Sequence, residues 1–260
     1  MLNCIVTQLF DNYGIIHEPE LPNEFINFDW YVFTDNKDLK SKHWNVIYLP
    51  EFDTDKLTGI QKTYIFKYTF YKYIPHIERY NYIIQLDASI KIYQSLYPII
   101  EYMKRYEYDL SISLHPERNN VFDEYDAWIQ LRNLDPTYKE IFQNFISDDF
   151  KNIDGLCECS FKIYKNCKEI YNFLDDIHNI MSLAMNNQDA NDQCYFTYIL
   201  YHYLDKLRIN YHSPNLYNNS KYMILFEHNT NLKRYDGQLF YLNYKLFLNK
   251  IIKITNDDEY

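Results

Sequence analysis

The feature that most constrains this chain is a regular alternation of segment types. Short apolar runs of strand length occur at Asn3–Thr7, Trp30–Thr34, Trp44–Leu49, Tyr82–Leu86, Leu110–Leu114, Ser160–Tyr164 and Met223–Phe226. Between them lie segments with helical spacing: Gln61–Tyr73, Ser95–Arg105, Val121–Leu131, Thr137–Ser147, Cys167–Met185 and Asp192–Leu204. Ser95 is the expected cap of the second helix, with Pro98 in its first turn. Strands that alternate with helices predict an α/β fold, a mostly parallel central sheet flanked by helices. No repeat or low-complexity linker divides the 260 residues, so one Rossmann-like domain is expected over 1–235. A C-terminal arm over 236–260 carries one apolar patch, Leu239–Leu248, and an acidic end, Asp257–Tyr260.

In open α/β sheets ligands bind at the carboxyl ends of the strands, where the loops collect. The residues just after the predicted strands are Phe10-Asp-Asn-Tyr13, Asp35, Asp87-Ala-Ser89, His115-Pro-Glu-Arg-Asn-Asn120 and Glu227-His228. Polar and ionisable groups recur at these points.

Composition removes several function classes. The net charge of −10 and absence of a basic stripe argue against a nucleic-acid partner, because backbone phosphates require clustered Lys and Arg. An acidic protein that handles an anionic ligand needs local compensation from a metal or a few placed lysines. Only 4 glycines are present, so neither a P-loop nor a dinucleotide fingerprint can be assembled, and no G-x-S-x-G elbow occurs. The 5 cysteines lack zinc spacing and read as reduced thiols. The 29 tyrosines read as core and surface filler, since Tyr joins an apolar body to a polar tip. No basic leader and no membrane-length apolar stretch is visible, so a cytoplasmic location is expected, with peripheral membrane attachment left open.

Four constellations carry candidate chemistry. In Tyr82-Ile-Ile-Gln-Leu-Asp87-Ala-Ser89 a buried-strand run ends in an acid, and a second oxygen ligand follows two positions on. Alternate residues of an extended segment face the same way, so Asp87 and Ser89 can share one hard cation, Mn2+ or Mg2+, that bridges a diphosphate. An Asp that merely caps a turn is the competing account. Ahead of that strand, Lys67 is placed to reach a diphosphate, whereas Lys72 reads as part of a solvated helix face; Pro75 and His76 follow.

After the next strand, His115, Arg118, Asn119 and Asn120 offer donors to a hydroxyl-rich or anionic ligand, with Glu124 on the following helix. A helix cap accounts for Asn120 alone. Lastly, Glu158 and Asp192 are the carboxylates best placed to contact a sugar or serve an acceptor hydroxyl, although Asp192 could be a simple N-cap. His228, after the last strand, is a candidate imidazole ligand for the metal, with a plain surface role as its rival. Spaced carboxylates alone also permit a glycoside hydrolase.

Taken in order, these pieces resemble the glycosyltransferase-like family of plant mucilage-type and bacterial proteins formerly catalogued as a domain of unknown function. The resemblance spans about Asn3 to His228 and rests on Thr7…Phe10-Asp-Asn-Tyr13, Phe33-Thr-Asp35 with Trp44, and Lys67…Lys72…Pro75-His76. It continues through Asp87-Ala-Ser89, His115-Pro…Arg118-Asn-Asn…Glu124, Gly155-Leu…Glu158 and Asp192-Gln193…Phe196.

The resemblance implies a GT-A-like fold, a nucleotide-sugar donor, a glycan or other hydroxyl acceptor and Mn2+ or Mg2+. It places Thr7, Phe10 and Asp35 around base and ribose, with Lys67, His115 and Arg118 also on the donor. It sets Asp87 at the family's D-x-D acid and likens Asp192-Gln193 to the Asp-Gln pair near the donor sugar. Three departures stand out: a non-glycine turn after the first strand, Ser89 in place of a second acid, and Asn191 where a basic residue is usual. Both a transferase and an inactive sugar- or nucleotide-binding scaffold are compatible with these residues.

Overall fold

A computed structural model of the chain describes residues 2–11, 14–20, 28–93, 95–186, 191–212 and 223–225. Each expected strand and helix has a counterpart. The strands are β1 (Leu2–Leu9), β2 (Phe28–Thr34), β3 (Asn45–Tyr48), β4 (Tyr80–Leu86), β5 (Ile90–Ile92), β6 (Leu110–Leu114), β7 (Cys157–Lys165), β8 (Ile209–His212) and β9 (Met223–Leu225). The α-helices are α1 (Gly59–Thr69), α2 (Tyr97–Arg105), α3 (Val121–Arg132), α4 (Tyr138–Phe145), α5 (Lys168–Asn186) and α6 (Asp192–Tyr201). The proposed arm over 236–260 and His228 lie outside the described residues.

Seven strands form one sheet in the order β3-β2-β1-β4-β7-β6-β8, and β5 pairs with β9 apart from it. Neighbours in the large sheet are parallel, except that β7 runs antiparallel to both β4 and β6. The expected class, an α/β fold with a mostly parallel sheet flanked by helices, is the one observed.

The pleat assigns side chains to two cores. On β2, Tyr31 and Phe33 enter the core completed by Phe66 of α1, Phe173 of α5 and Phe196 of α6. Trp30 and Val32 enter the opposite core with Ile100 and Met103 of α2. Both faces are therefore covered, which is why the strands read as unbroken apolar runs. Full burial of one such side chain stabilises by about 1.5–3 kcal/mol, so losing one from either core is costly.

Three helix starts are set locally. Thr58 and Gln61 form a capping box, so α1 begins at Gly59, two residues before the expected Gln61. Asn120 caps α3 by accepting from Phe122 N and Asp123 N at 3.0 and 2.9 Å. Asn191 caps α6 by accepting from Cys194 N at 3.4 Å.

This topology selects one functional edge. β1 pairs with β2 on one side and β4 on the other, so strand order reverses at β1, and the crevice of such a sheet opens at the carboxyl ends of β1 and β4. β6 ends on the same edge, and antiparallel β7 begins there.

Candidate active site

At this edge α1 delivers Lys67 from its last turn. The residue is 5% exposed. Its Nζ lies 3.0 Å from Asp87 Oδ1 and 3.3 Å from Asp192 Oδ2. Asp87 follows β4 and is pinned through its N–H, which donates to Ser160 O at 2.9 Å. Gln8 Nε2 of β1 also donates to Asp87 Oδ1, at 3.4 Å.

Because Asn191 takes the capping role, Asp192 stands at the first position of α6 with its carboxylate turned inward. There it accepts from Tyr68 Oη at 3.2 Å and sits in the positive end of the helix. Burial works against the Lys67 ammonium, but Asp192 and then Asp87 outweigh it and hold its pKa well above the ordinary lysine value. Lys67 is thus a permanent cation between two carboxylates.

Behind this trio lies Lys162 of β7, fully buried. Its Nζ donates to Cys159 O at 2.8 Å and sits 5.6 and 5.5 Å from the ring centroids of Tyr68 and Phe196. Burial pushes its pKa down.

A second ion-pair group forms beside the first. Lys62 of α1 is 3% exposed and bonds Asp11, with Asp35 Oδ2 at 2.7 Å. Asp35 also accepts the Asp11 N–H at 3.1 and 3.2 Å. Asp11 adopts φ 51, a left-handed conformation that Asp tolerates better than most residues. The turn after β1 is therefore held without a glycine by these bonds. Its neighbour Gly59 approaches so closely that an added Cβ would lie 3.0 Å from Asp11 Cβ.

A third group lies at the end of β6. The His115 Nδ1 accepts from Glu117 N and Arg118 N at 3.2 and 3.1 Å and so shapes the loop. Arg118 bonds Glu124, whose other oxygen accepts from Asn191 Nδ2 at 3.4 Å. Burial raises the Glu124 pKa although Arg118 opposes it. Asn191 links this group directly to Asp192.

The remaining expected residues divide clearly. Glu158 is half-buried at the start of β7, where it accepts from Ser160 Oγ at 2.5 Å and Ser160 N at 3.0 Å. The Ser89 and Gln193 side-chain oxygens are buried without a hydrogen-bond partner. Thr7 and Phe10 do not line the edge. Thr7 is fully buried, and Phe10 is 1% exposed with its ring stacked on Phe52 at 4.8 Å, so neither offers a surface to base or ribose. Asp35 is committed to Lys62 and the Asp11 backbone. Lys72 is the solvated residue expected, paired with Asp175 at 3.0 Å. Sequence reasoning missed Gln8, Lys62, Tyr68 and Lys162.

Among the described residues no group of three His, Cys, Asp or Glu is arranged to hold a metal ion. The Asp87 carboxylate and the Ser89 Oγ, the latter buried without a hydrogen-bond partner, are oxygen ligands of the kind a hard cation such as Mg2+ takes. They do not make a protein-only metal centre. A larger cavity of about 770 Å3 opens at the opposite edge, around Tyr82, Asp109, Lys165 and Arg208. Its charges pair among neighbours, Lys165 with Asp109 and Arg208 with Glu107, each at 2.9 Å. The carboxyl edge is the better candidate because buried charges and orphaned oxygens converge there.

The chain is similar to a crystal structure of mouse xyloside xylosyltransferase 1 in its apo form. Identity is 11% and the TM-score is 0.45, over 84% of this chain and 87% of that one. No family model matches the chain, and no curated protein matches it. Among the described residues no helix is long and apolar enough to cross a membrane.

Proposed function

We propose that this chain is a glycosyltransferase that moves a sugar from a nucleotide-diphosphate donor to a hydroxyl acceptor. The observation that carries the reading is Lys67, buried between Asp87 and Asp192 at the reversal of strand order. An ammonium fixed there by its two carboxylates needs little reorganisation to meet a departing diphosphate that brings its own counter-charge.

The acceptor oxygen bonds to the anomeric carbon. The bond from that carbon to the diphosphate oxygen breaks, and its electron pair leaves with the diphosphate. Glu158, whose carboxylate accepts from Ser160, takes the acceptor's proton, whereas Asp192 is held by the Lys67 ammonium and Tyr68. Arg118 and His115 bind donor or acceptor hydroxyls beside it.

Two carboxylates against one lysine leave the Asp87–Lys67–Asp192 trio with one excess negative charge, which disfavours a bare diphosphate. Asp87 and Ser89 would hold Mn2+ or Mg2+, whose contribution is to offset that charge on the diphosphate.

The test is a panel of nucleotide-sugars with Mn2+ or Mg2+, read by calorimetry and by release of nucleoside diphosphate. Binding with turnover supports the transferase. Binding without turnover assigns a sugar- or nucleotide-binding scaffold, and no binding across the panel rejects both.

A further inference from the structure

A separate pocket of about 290 Å3 opens on the β6, β8 and α6 side of the candidate site. Several of its lining residues adjoin the proposed machinery along the chain. Leu114 of its floor precedes His115, and Asn119 follows Arg118. Gly155 lies three residues before Glu158. Thr197, Leu200 and Tyr201 come from α6, the helix that opens with Asp192.

The chemistry of the lining differs from that of the edge. Leu114, Phe150, Ile153, Leu200, Leu204 and Tyr211 make it largely apolar, and no Lys or Arg lines it. Its polar side chains besides the tyrosines are Asn119, the acidic Asp154 and Thr197, the last already engaged, its Oγ1 accepting from Cys157 N at 2.9 Å. Such walls reject phosphate, which needs cationic or N–H donors, and accept an apolar group. Phe150 and Tyr201 meet edge to face at 5.1 Å, an arrangement that a further aromatic ring can extend.

Backbone geometry keeps one wall open. Gly155 has φ +116, a conformation side chains rarely adopt, and a Cβ there would meet nothing within 4 Å. Its N–H is fixed to Asn119 O at 2.7 Å, so the opening is held in place.

We infer that this pocket takes the apolar part of the acceptor, so the acceptor is a hydroxyl compound carrying an aromatic ring or a short alkyl chain. The inference rests on the transferase reading for its name as an acceptor site. The pocket's volume lies near the lower end for small-molecule sites, which suits one ring or short chain and not an extended glycan.

The test titrates the full chain by calorimetry with phenyl and methyl glycosides of glucose and galactose, without any nucleotide. The phenyl compounds are expected to bind about tenfold or more tightly than the methyl ones, as burial of a ring allows. Ile153→Trp, which fills the pocket, and Leu204→Asp, which polarises its partly exposed rim, each abolish that preference. Both variants are expected to leave nucleotide-sugar binding unchanged, and that titration also certifies that they fold. Equal binding of phenyl and methyl glycosides, or binding of neither, overturns the inference. So does a preference that survives in both variants. A phenyl preference in a chain that binds no nucleotide-sugar would instead reject the transferase reading and keep the pocket.

Discussion

Replacing Lys67 with Met tests the central ion pairs through stability alone. The substitution keeps the aliphatic stem and removes the only cation in direct contact with both Asp87 and Asp192 among the described residues. Their side chains are 19% and 8% exposed, so water replaces the lost partner only in part. Removing one partner of a buried pair costs about 3–5 kcal/mol, and the partial exposure of Asp87 puts this case near the lower figure. A loss of about 3 kcal/mol lowers Tm by roughly 6–12 °C for a domain of this size.

The second arm is Lys67→Met with Asp192→Asn. An amide at this position still accepts from Tyr68 and carries no charge, so the double variant should regain about 1–2 kcal/mol of the loss. Far-UV circular dichroism during thermal or urea unfolding reads both arms. Because the Lys67 pKa is raised above its unfolded value, its stabilisation is fully present below about 10.5 and fades only as pH rises through the folded value. The deficit should therefore be constant between pH 6 and 9. A loss under about 1 kcal/mol for the single variant, or no recovery in the double, would refute this account of the trio.

Three further outcomes follow from local geometry. Gly59→Ala, ordinarily favourable in a helix, should lower stability by about 1 kcal/mol by thermal denaturation, because its Cβ would crowd Asp11 and Phe10 O. Asn120→Ala should cost about 1 kcal/mol in the same assay through loss of the α3 cap, without changing nucleotide-sugar binding. Burial lowers the His212 pKa from 6.5 to about 3, so the folded state keeps it neutral while the unfolded chain protonates. Its stabilisation is present above 6.5 and is lost as pH falls toward 3, at about 1.4 kcal/mol per pH unit. His212→Gln should flatten the dependence of Tm on pH between 6.5 and 5, and an unchanged slope contradicts it.

Particular residues show how far the sequence alone could be read. Asp87 was legible because a buried run ending in an acid marks a strand's carboxyl end. Asp192 was legible too, but whether it caps α6 depended on one-residue phasing, and Asn191 takes the cap. Lys62 was not legible: its partners lie 51 and 27 positions away, and only the fold brings them together. Lys162 sits within an apolar strand, where period-two alternation gives no sign of a cation held between aromatic rings. Phe10 illustrates the converse limit, since a ring just past a strand end can face ligand or core, and here the Phe52 and Phe66 rings draw it inward. The short strands β5 and β8 escaped because Ile90-Lys-Ile92 and Ile209-Asn-Tyr-His212 break their apolar residues with Lys and Asn, unlike the apolar run that marked the similarly short β9. The reversed direction of β7 escaped because periodicity carries no direction.

The central claim is that Asp87 and Lys67 handle a departing diphosphate. It is tested most directly by release of nucleoside diphosphate from the donor that the panel identifies, with native protein and Asp87→Asn compared at saturating donor and Mn2+. Lys67 keeps Asp192 as its partner in that variant, so Tm should stay close to native. The account predicts a fall in turnover of about 100-fold or more, the scale seen when a preorganised charge-stabilising group is removed. Native turnover from a folded Asp87→Asn protein would contradict it.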